Sequence, residues 1–248
     1  MRIAVIGDVH ANLPALTAVV EDVSRAGADA MFCVGDIVGR GPHPNEVVEL
    51  MRRVDIPGVQ GNWDEAVAMD RDSTGAAWET LEGEQAGELS MRWTADTLTD
   101  DHKAWLRQIP VQGRAVIDGR SVAFFHGSLV RQTEYLWSDR PSRFFSRIAS
   151  EEGDDIFCFG HTHEAHHRVV GQAHLVACGS VGCPDPGTAE ATYALITIDD
   201  GNIAVGFRSV PYDLASVLRD MTALDLPHEL LLTPPPRHAL PLHASLSA

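Results

Sequence analysis

The apolar run Ile3-Ala4-Val5-Ile6 passes directly into Gly7-Asp8-Val9-His10, and that junction restricts what the chain can fold into. A short β-branched run closed by glycine reads as a buried strand. Side chains alternate along a strand, so Asp8 and His10, two apart, leave on the same side. A carboxylate and an imidazole aimed together from a strand's carboxyl end suit a metal that takes mixed oxygen and nitrogen ligands. A loop aspartate and a helix-entry histidine would explain the same residues, so the junction alone does not define a site.

The rest of the chain repeats the arrangement. Leu13, Leu16, Val19, Val20 and Val23 recur at helical spacing up to Gly27. A second buried strand, 30–34, runs into Gly35-Asp36, and Val47, Leu50 and Met51 mark a helix opened by Pro44 and Asn45. A short strand is expected over 56–60, ending at Gly61-Asn62-Trp63-Asp64. Strand, helix, strand, helix, strand favours an α/β sheet with crossover helices. Residues 65 to about 110 break the rhythm with helical stretches anchored by Trp93, Leu98, Trp105 and Leu106, and are read as an insertion lying over the strand ends. A hairpin across Asp118-Gly119 then delivers His126-Gly127. A helix is expected after Pro141, and the strand 155–159 ends in Gly160-His161-Thr162-His163. Further strands are expected near 167–170, 174–177, 192–198 and 202–208, with a closing helix near 213–221. No linker divides the chain, so residues 1–226 read as one domain and 227–248 as a Pro-rich surface arm.

Asp8, His10, Asp36, Asn62, His126, His161 and His163 therefore all stand at strand ends. Any one of them reads as an ordinary loop residue; seven together read as a site. The pattern resembles the calcineurin-like metallophosphoesterases, whose motifs run G-D-x-H, G-D-x-x-x-x-G, G-N-H-D/E, a lone His before Gly, and G-H-x-H. Here they stand, in that order, as Gly7–His10, Gly35–Gly41, Gly61–Asp64, His126-Gly127 and Gly160–His163. Gly35–Pro42, Trp93-Thr94 and Gly179-Ser180-Val181-Gly182 narrow the likeness to the prokaryotic branch that includes diadenosine-tetraphosphate hydrolases and small phosphodiesterases.

The resemblance implies a four-layer α-β-β-α sandwich of two mixed sheets, with a helical cap insertion and two divalent metal ions at one edge. Carried over by position, Asp8, His10, Asp36 and His163 would hold the first ion. Asp36 would bridge to a second, completed by Asn62, His126 and His161. Two cations about 3.5–4 Å apart can activate a bridging hydroxide for in-line attack on phosphorus. Asp36, Asn62, His126, Asp64 and Arg40 are the residues expected to carry catalysis. A ligand set without thiolate suits manganese foremost, with iron, zinc, cobalt or nickel as alternatives.

Departures matter as much as matches. The family histidine after Asn62, credited as general acid, is Trp63, which cannot protonate a leaving alkoxide. Trp63 could present an aromatic face beside the metals or pack beneath the insertion; the sequence leaves both open. Asp64 could equally be a helix N-cap, and Arg40 either a phosphate clamp or a solvated loop residue. His43 is a candidate substitute acid. His166 and His167 read as strand-surface residues, and Tyr135 and Trp137 as packing.

The 248-residue chain carries a net charge of −16, which argues against broad contact with nucleic acid or an anionic membrane. Metal ions rather than a basic patch would then supply the positive charge for a phosphate ester. Cys33 and Cys158 read as core residues, Cys178 and Cys183 bracket the Gly179–Gly182 turn, and no C-x-x-C pair occurs. That usage suits a reducing compartment. With a strand beginning at residue 2, no signal peptide is expected, and the location expected is cytoplasmic. The leading expectation is hydrolysis of a phosphodiester or phosphoanhydride in a small molecule, such as a dinucleoside polyphosphate. A protein serine/threonine phosphatase and a cyclic-nucleotide phosphodiesterase are the alternatives. A non-catalytic scaffold is disfavoured by seven intact ligands, and a nuclease by the acidic balance.

Overall fold

Strand β1 (Arg2–Ile6) sends alternate side chains into two different cores, and the layering follows from that alternation. In the computed structural model, which describes residues 1–237, Ala4 and Ile6 join an apolar cluster with helices on one face, while Ile3 and Val5 face a second sheet. Residues 238–248 of the expected Pro-rich arm lie outside the described residues.

The first sheet has the order β2 (Ala30–Cys33), β1, β8 (Glu190–Asp199), β9 (Asn202–Pro211). The pair β1/β2 is parallel; β1/β8 and β8/β9 are antiparallel. The second sheet has the order β3 (Gln112–Ile117), β4 (Arg120–Phe125), β5 (Ile156–Phe159), β7 (Ala173–Cys178), β6 (Ala165–Val170). In it β4, β5 and β7 run parallel and both edges are antiparallel. Helices α1 (Leu13–Arg25) and α2 (Pro44–Val54) cover the first sheet, and α6 (Ser142–Glu152) seats Phe145 among Phe125, Phe157 and Phe159 of the second. The result is a helix–sheet–sheet–helix sandwich of two mixed sheets.

Local chemistry explains the boundaries. Asn12 caps α1 by accepting from the backbone N–H of Ala15 at 3.2 Å, with Pro14 in the first turn. Asp118 and Gly119 both take positive φ, 50° and 76°, as a two-residue hairpin turn requires.

Two expectations change. The strand expected over 56–60 is a single parallel bridge, Cys33 to Gly58, because the chain needs only to brace the end of β2 before entering α3 (Asn62–Ala68). The insertion does not simply arch over the strand ends. With α4 (Leu81–Thr97) and α5 (Asp100–Gln108), it buries Met91, Leu98 and Leu106 in the cluster that holds α1 and α2. Only its connecting stretch, carrying Trp78 and Glu79, reaches the cavity described below.

The chain closes with α7 (Leu214–Ala223) and the short α8 (Glu229–Leu232). Residues 227–237, expected as a surface arm, instead pack down: Leu231 is buried among Cys183, Val217, Met221 and Leu226. Among the described residues no helix is long and apolar enough to cross a membrane.

If α5 belongs to the core, Leu106→Ala should lower the unfolding free energy by about 2–5 kcal/mol. Denaturant melts of the two chains measure it; a loss below about 1 kcal/mol would make the insertion a dispensable cap.

Candidate metal centre

The carboxyl ends of five parallel strands, β1, β2, β4, β5 and β7, meet at one edge of the sandwich. The loops leaving them are laced by backbone hydrogen bonds: Asp8 N–H to Gly35 O at 2.9 Å, His10 N–H to Asp36 O and Ala11 N–H to Ile37 O at 3.0 Å. Gly160 N–H reaches His126 O at 2.9 Å, and Gly182 N–H reaches Asp8 O at 2.9 Å. Such close approach needs glycine at the crossing: a Cβ on Gly61 would strike the backbone N and carboxylate of Asp36.

The lacing forces a backbone that side chains disfavour. Asp8, His10, Asp36, Arg40, His161 and His163 all lie in the left-handed region, with φ between 48° and 67°. Non-glycine residues there cost of order 1–3 kcal/mol each, and such strain clusters where geometry serves function. Here it turns the side chains of successive loops toward one point.

All seven residues named from the sequence come together and all are buried. His126 Nε2 lies 3.3 Å from Asp36 Oδ2 and 3.0 Å from Asn62 Oδ1. His163 Nε2 lies 3.4 Å from Asp8 Oδ1 and 3.2 Å from His10 Nε2, and His10 Nε2 is 3.7 Å from Asp36 Oδ2. Two groups of potential ligands share Asp36: Asp8, His10 and Asp36; and Asp36, His126 and His161.

These residues fit divalent ions on chemical grounds. Among the described residues no Lys or Arg lies within 4 Å of Asp8 or Asp36; the carboxylates meet histidine side chains and the backbone N–H groups of His161 and Trp63, at 3.1 and 2.9 Å. Buried charge needs compensation. His126 Nδ1 sits 2.8 Å from Val34 O, so a proton held there leaves Nε2 as the lone pair facing the cluster. His161 Nε2 and the Nδ1 atoms of His10 and His163 are buried with no hydrogen-bond partner.

Electrostatics divides the four histidines. Burial, with Arg40 nearby, holds His10 well below the ordinary imidazole range; burial and neighbouring His126 do the same to His161. Burial also opposes the charged forms of His126 and His163. Asp36 nevertheless lifts His126 to about 9, and Cys183 and Asp8 lift His163 to about 9.

The residues expected to act beside the metals divide too. Asp64 is fully buried and accepts three backbone N–H groups: Gly61 at 2.9 Å, Ile37 at 2.8 Å and Val38 at 3.0 Å. Its carboxylate ties the Asp36 loop to the start of α3 and does not line the cavity described below, which gives it a positioning role. Arg40 is not a solvated loop residue. Its guanidinium is buried between the indoles of Trp63 and Trp78, 5.6 and 5.7 Å from their centroids, and donates to Leu230 O at 2.9 Å. Trp63 takes the packing role, 1% exposed, under Gly39 and edge-on to His10. His43 turns away, its Nε2 3.0 Å from Asp220 of α7.

His166, expected on a strand surface, is buried edge-on to Phe145 and Phe159. Tyr135 stacks on His161 with centroids 4.0 Å apart and so packs a ligand candidate directly.

Beside His163 opens a cavity of about 1000 Å³, lined also by Trp78, Trp137, Cys183, Pro235 and Arg237. Arg237 crosses its edge, pairing with Glu164 at 2.6 Å and lying over Trp137 at 5.0 Å. Trp78 and Cys183 were not singled out from the sequence as site residues. Trp78 sits in a stretch with no motif, and Cys183 read as one end of a glycine-rich turn.

Comparison with known proteins agrees with this architecture. The profile described as calcineurin-like phosphoesterase superfamily domain matches residues 1–201. An uncharacterized protein of Methanocaldococcus jannaschii is 30% identical over 246 residues, covering 92% of this chain and 95% of its own. The crystal structure of a metallophosphoesterase from Sphaerobacter thermophilus matches with TM-score 0.70 and 29% identity, covering 93% of this chain and 96% of that one. A hypothetical protein of Pyrococcus horikoshii matches with TM-score 0.80 and 22% identity over the same shares, a likeness of fold.

Two outcomes follow. Asp64→Ala, which removes no ligand, should weaken metal binding roughly 10–100-fold; metal titration of the variant checks it, and unchanged affinity would leave Asp64 a simple helix cap. Because His126 and His163 must lose protons to bind a metal, uptake at pH 7 should release protons. Apparent affinity should then rise with pH until about 9. Calorimetry in buffers of different ionisation enthalpy measures the release, and its absence would contradict the raised histidines.

Proposed function

The chain belongs to the calcineurin-like phosphoesterase superfamily, and from that premise we propose that it is a metal-dependent hydrolase of a small phosphodiester or phosphoanhydride. The observation that carries this reading is the chamber of about 1000 Å³ opening directly on His163, within the buried cluster of carboxylates, imidazoles and Asn62. Two divalent ions held by Asp8, His10, Asp36 and His163, and by Asp36, Asn62, His126 and His161, would supply Lewis-acid stabilisation of phosphoryl charge and activation of water. The nitrogen and oxygen donors among these seven suit manganese foremost.

The protein's own groups shape what can react. Asp64 and the laced loops hold the donors in place. Arg40 sets a buried positive charge behind the cluster, oriented by Leu230 O rather than projecting as a phosphate clamp. Position 63 offers no proton, and His43 is engaged elsewhere. The favoured leaving group is therefore one that departs as a stable anion, such as a nucleoside phosphate. Trp78 and Trp137 line the chamber, and stacking a base on such a ring is worth about 1–3 kcal/mol. A dinucleoside polyphosphate satisfies both features.

Glu79, Glu164 and Asp185 around the chamber disfavour a nucleic-acid polymer. Thr233, Pro234, Pro235 and Arg237 narrow the approach that a folded protein substrate would need, which counts against a protein phosphatase.

The test is a panel of phosphomonoesters, phosphodiesters and dinucleoside polyphosphates, run on metal-stripped protein reloaded with Mn²⁺. Turnover should appear with phosphoanhydrides and activated diesters, kcat falling steeply as leaving-group pKa rises, and Asp36→Ala should abolish it. Trp78→Ala should raise KM for a dinucleoside polyphosphate by roughly 5–150-fold, far more than for a p-nitrophenyl ester. No turnover with any substrate or metal would overturn the reading, and a flat leaving-group dependence would show that some group supplies the proton.

A further inference from the structure

We propose that Cys183 is a thiolate donor to the ion on the His10–His163 side of the centre, so that this site has a sulfur ligand alongside its nitrogens and oxygens. The inference rests on the metal-dependent reading above and concerns a residue outside the seven.

Cys183 Sγ and one ring nitrogen each of His10 and His163 all lie within 4.8 Å of one another. His10 is fully buried and the His163 side chain 6% exposed. The Nδ1 atom of each lacks a hydrogen-bond partner.

The placement of the thiol is built rather than incidental. Ser180 Oγ donates to Asp8 O at 2.9 Å and accepts the Cys183 N–H at 2.9 Å. One hydroxyl thus links the cysteine backbone to the loop that carries Asp8. Gly182 N–H reaches Asp8 O as well, and a Cβ at Gly182 would collide with Val9 O, so the turn is pressed against that loop.

Besides its interaction with the His163 imidazole, the thiol makes a weak polar contact with Leu230 O at 4.0 Å. Its remaining neighbours, Val217, Met221, Leu226 and Leu231, are apolar. A buried cysteine in such company is ordinarily a small hydrophobe; here its sulfur is also at the chamber wall, facing two imidazoles. A sulfur donor added to oxygen and nitrogen shifts preference toward zinc, cobalt or ferrous iron and away from magnesium and manganese.

Cobalt(II) added to the metal-stripped full chain under reducing, anaerobic conditions gives the readout. The natural chain should bind cobalt and show a near-ultraviolet thiolate-to-cobalt band. Cys183→Ser and Cys183→Ala should bind cobalt without that band, while Cys158→Ala, altered in the inter-sheet core, keeps it. The ratio of zinc to manganese affinity should fall roughly tenfold or more in both Cys183 variants. X-ray absorption of the zinc-loaded natural chain, which needs no variant, should show a sulfur neighbour at about 2.3 Å. Cobalt bound with no band, a band that survives Cys183→Ser, or a zinc shell of nitrogen and oxygen alone would each overturn the proposal and leave the phosphoesterase reading standing. A chain that takes up no cobalt or zinc would overturn both.

Discussion

Two carboxylates, Asp8 and Asp36, are buried together at one edge of the sandwich, where among the described residues histidines are the only cationic side chains within 4 Å, and much of the molecule answers to that constraint. Taking a carboxylate out of water without a partner is costly enough that proteins neutralise it, pair it or give it a cation. The remedy here is distributed. His126 and His163 are pulled toward the charged form, while burial pushes His10 and His161 toward the neutral one. Donors in both states thus surround shared carboxylates, and a metal ion bound there would displace protons. The acidic balance of the chain fits: charge compensation at this edge does not come from a basic surface.

Holding those donors requires a backbone under tension. Six residues of the site take left-handed φ values, and what keeps them there is a short set of directed bonds between loops that are distant in sequence. Asp64 is central to it. Its two oxygens accept from Gly61, Ile37 and Val38, so the loop after β2 and the start of α3 share one anchor. Asn62 and Asp36 are therefore positioned by a carboxylate that is itself far from solvent. This also explains the large share of buried polar groups at this edge, where hydrogen bonds must be complete because water cannot complete them.

The C-terminal segment adds a second level of control. Leu230 O receives the Arg40 guanidinium, Leu231 joins the apolar cluster beside Cys183, and Arg237 reaches Glu164 at the chamber edge. A stretch remote in sequence from every metal-ligand motif thus sets the orientation of Arg40 and the width of the approach. Trp78 and Trp137, from separate parts of the chain, complete the wall. On the proposed reading, these late additions set specificity and the strand ends set the reaction type.

What the amino-acid sequence by itself determined was the framework and the edge where chemistry gathers. Apolar runs closed by glycine are local signals, because burial demands the run and the sharp turn demands the glycine; β1, β2, β4 and β5 were legible for that reason. The burial of Trp63, the anchoring role of Asp64 and the core position of the insertion were decided only by the tertiary structure. Each depends on which side of a residue faces which neighbour: Gly39 lying over the indole, three amides converging on one carboxylate, Leu106 buried where α5 packs on α3. The short stretch before Asn62 read as a strand because its residues suit one, yet it forms a single bridge to Cys33 before Gln60 N–H turns to Pro110 O at 2.8 Å. Cys183 shows the same limit. In the sequence it ends a glycine-rich turn 173 residues from His10; only the laced loops place its sulfur beside two imidazoles, and periodicity carries no information about such long-range approach.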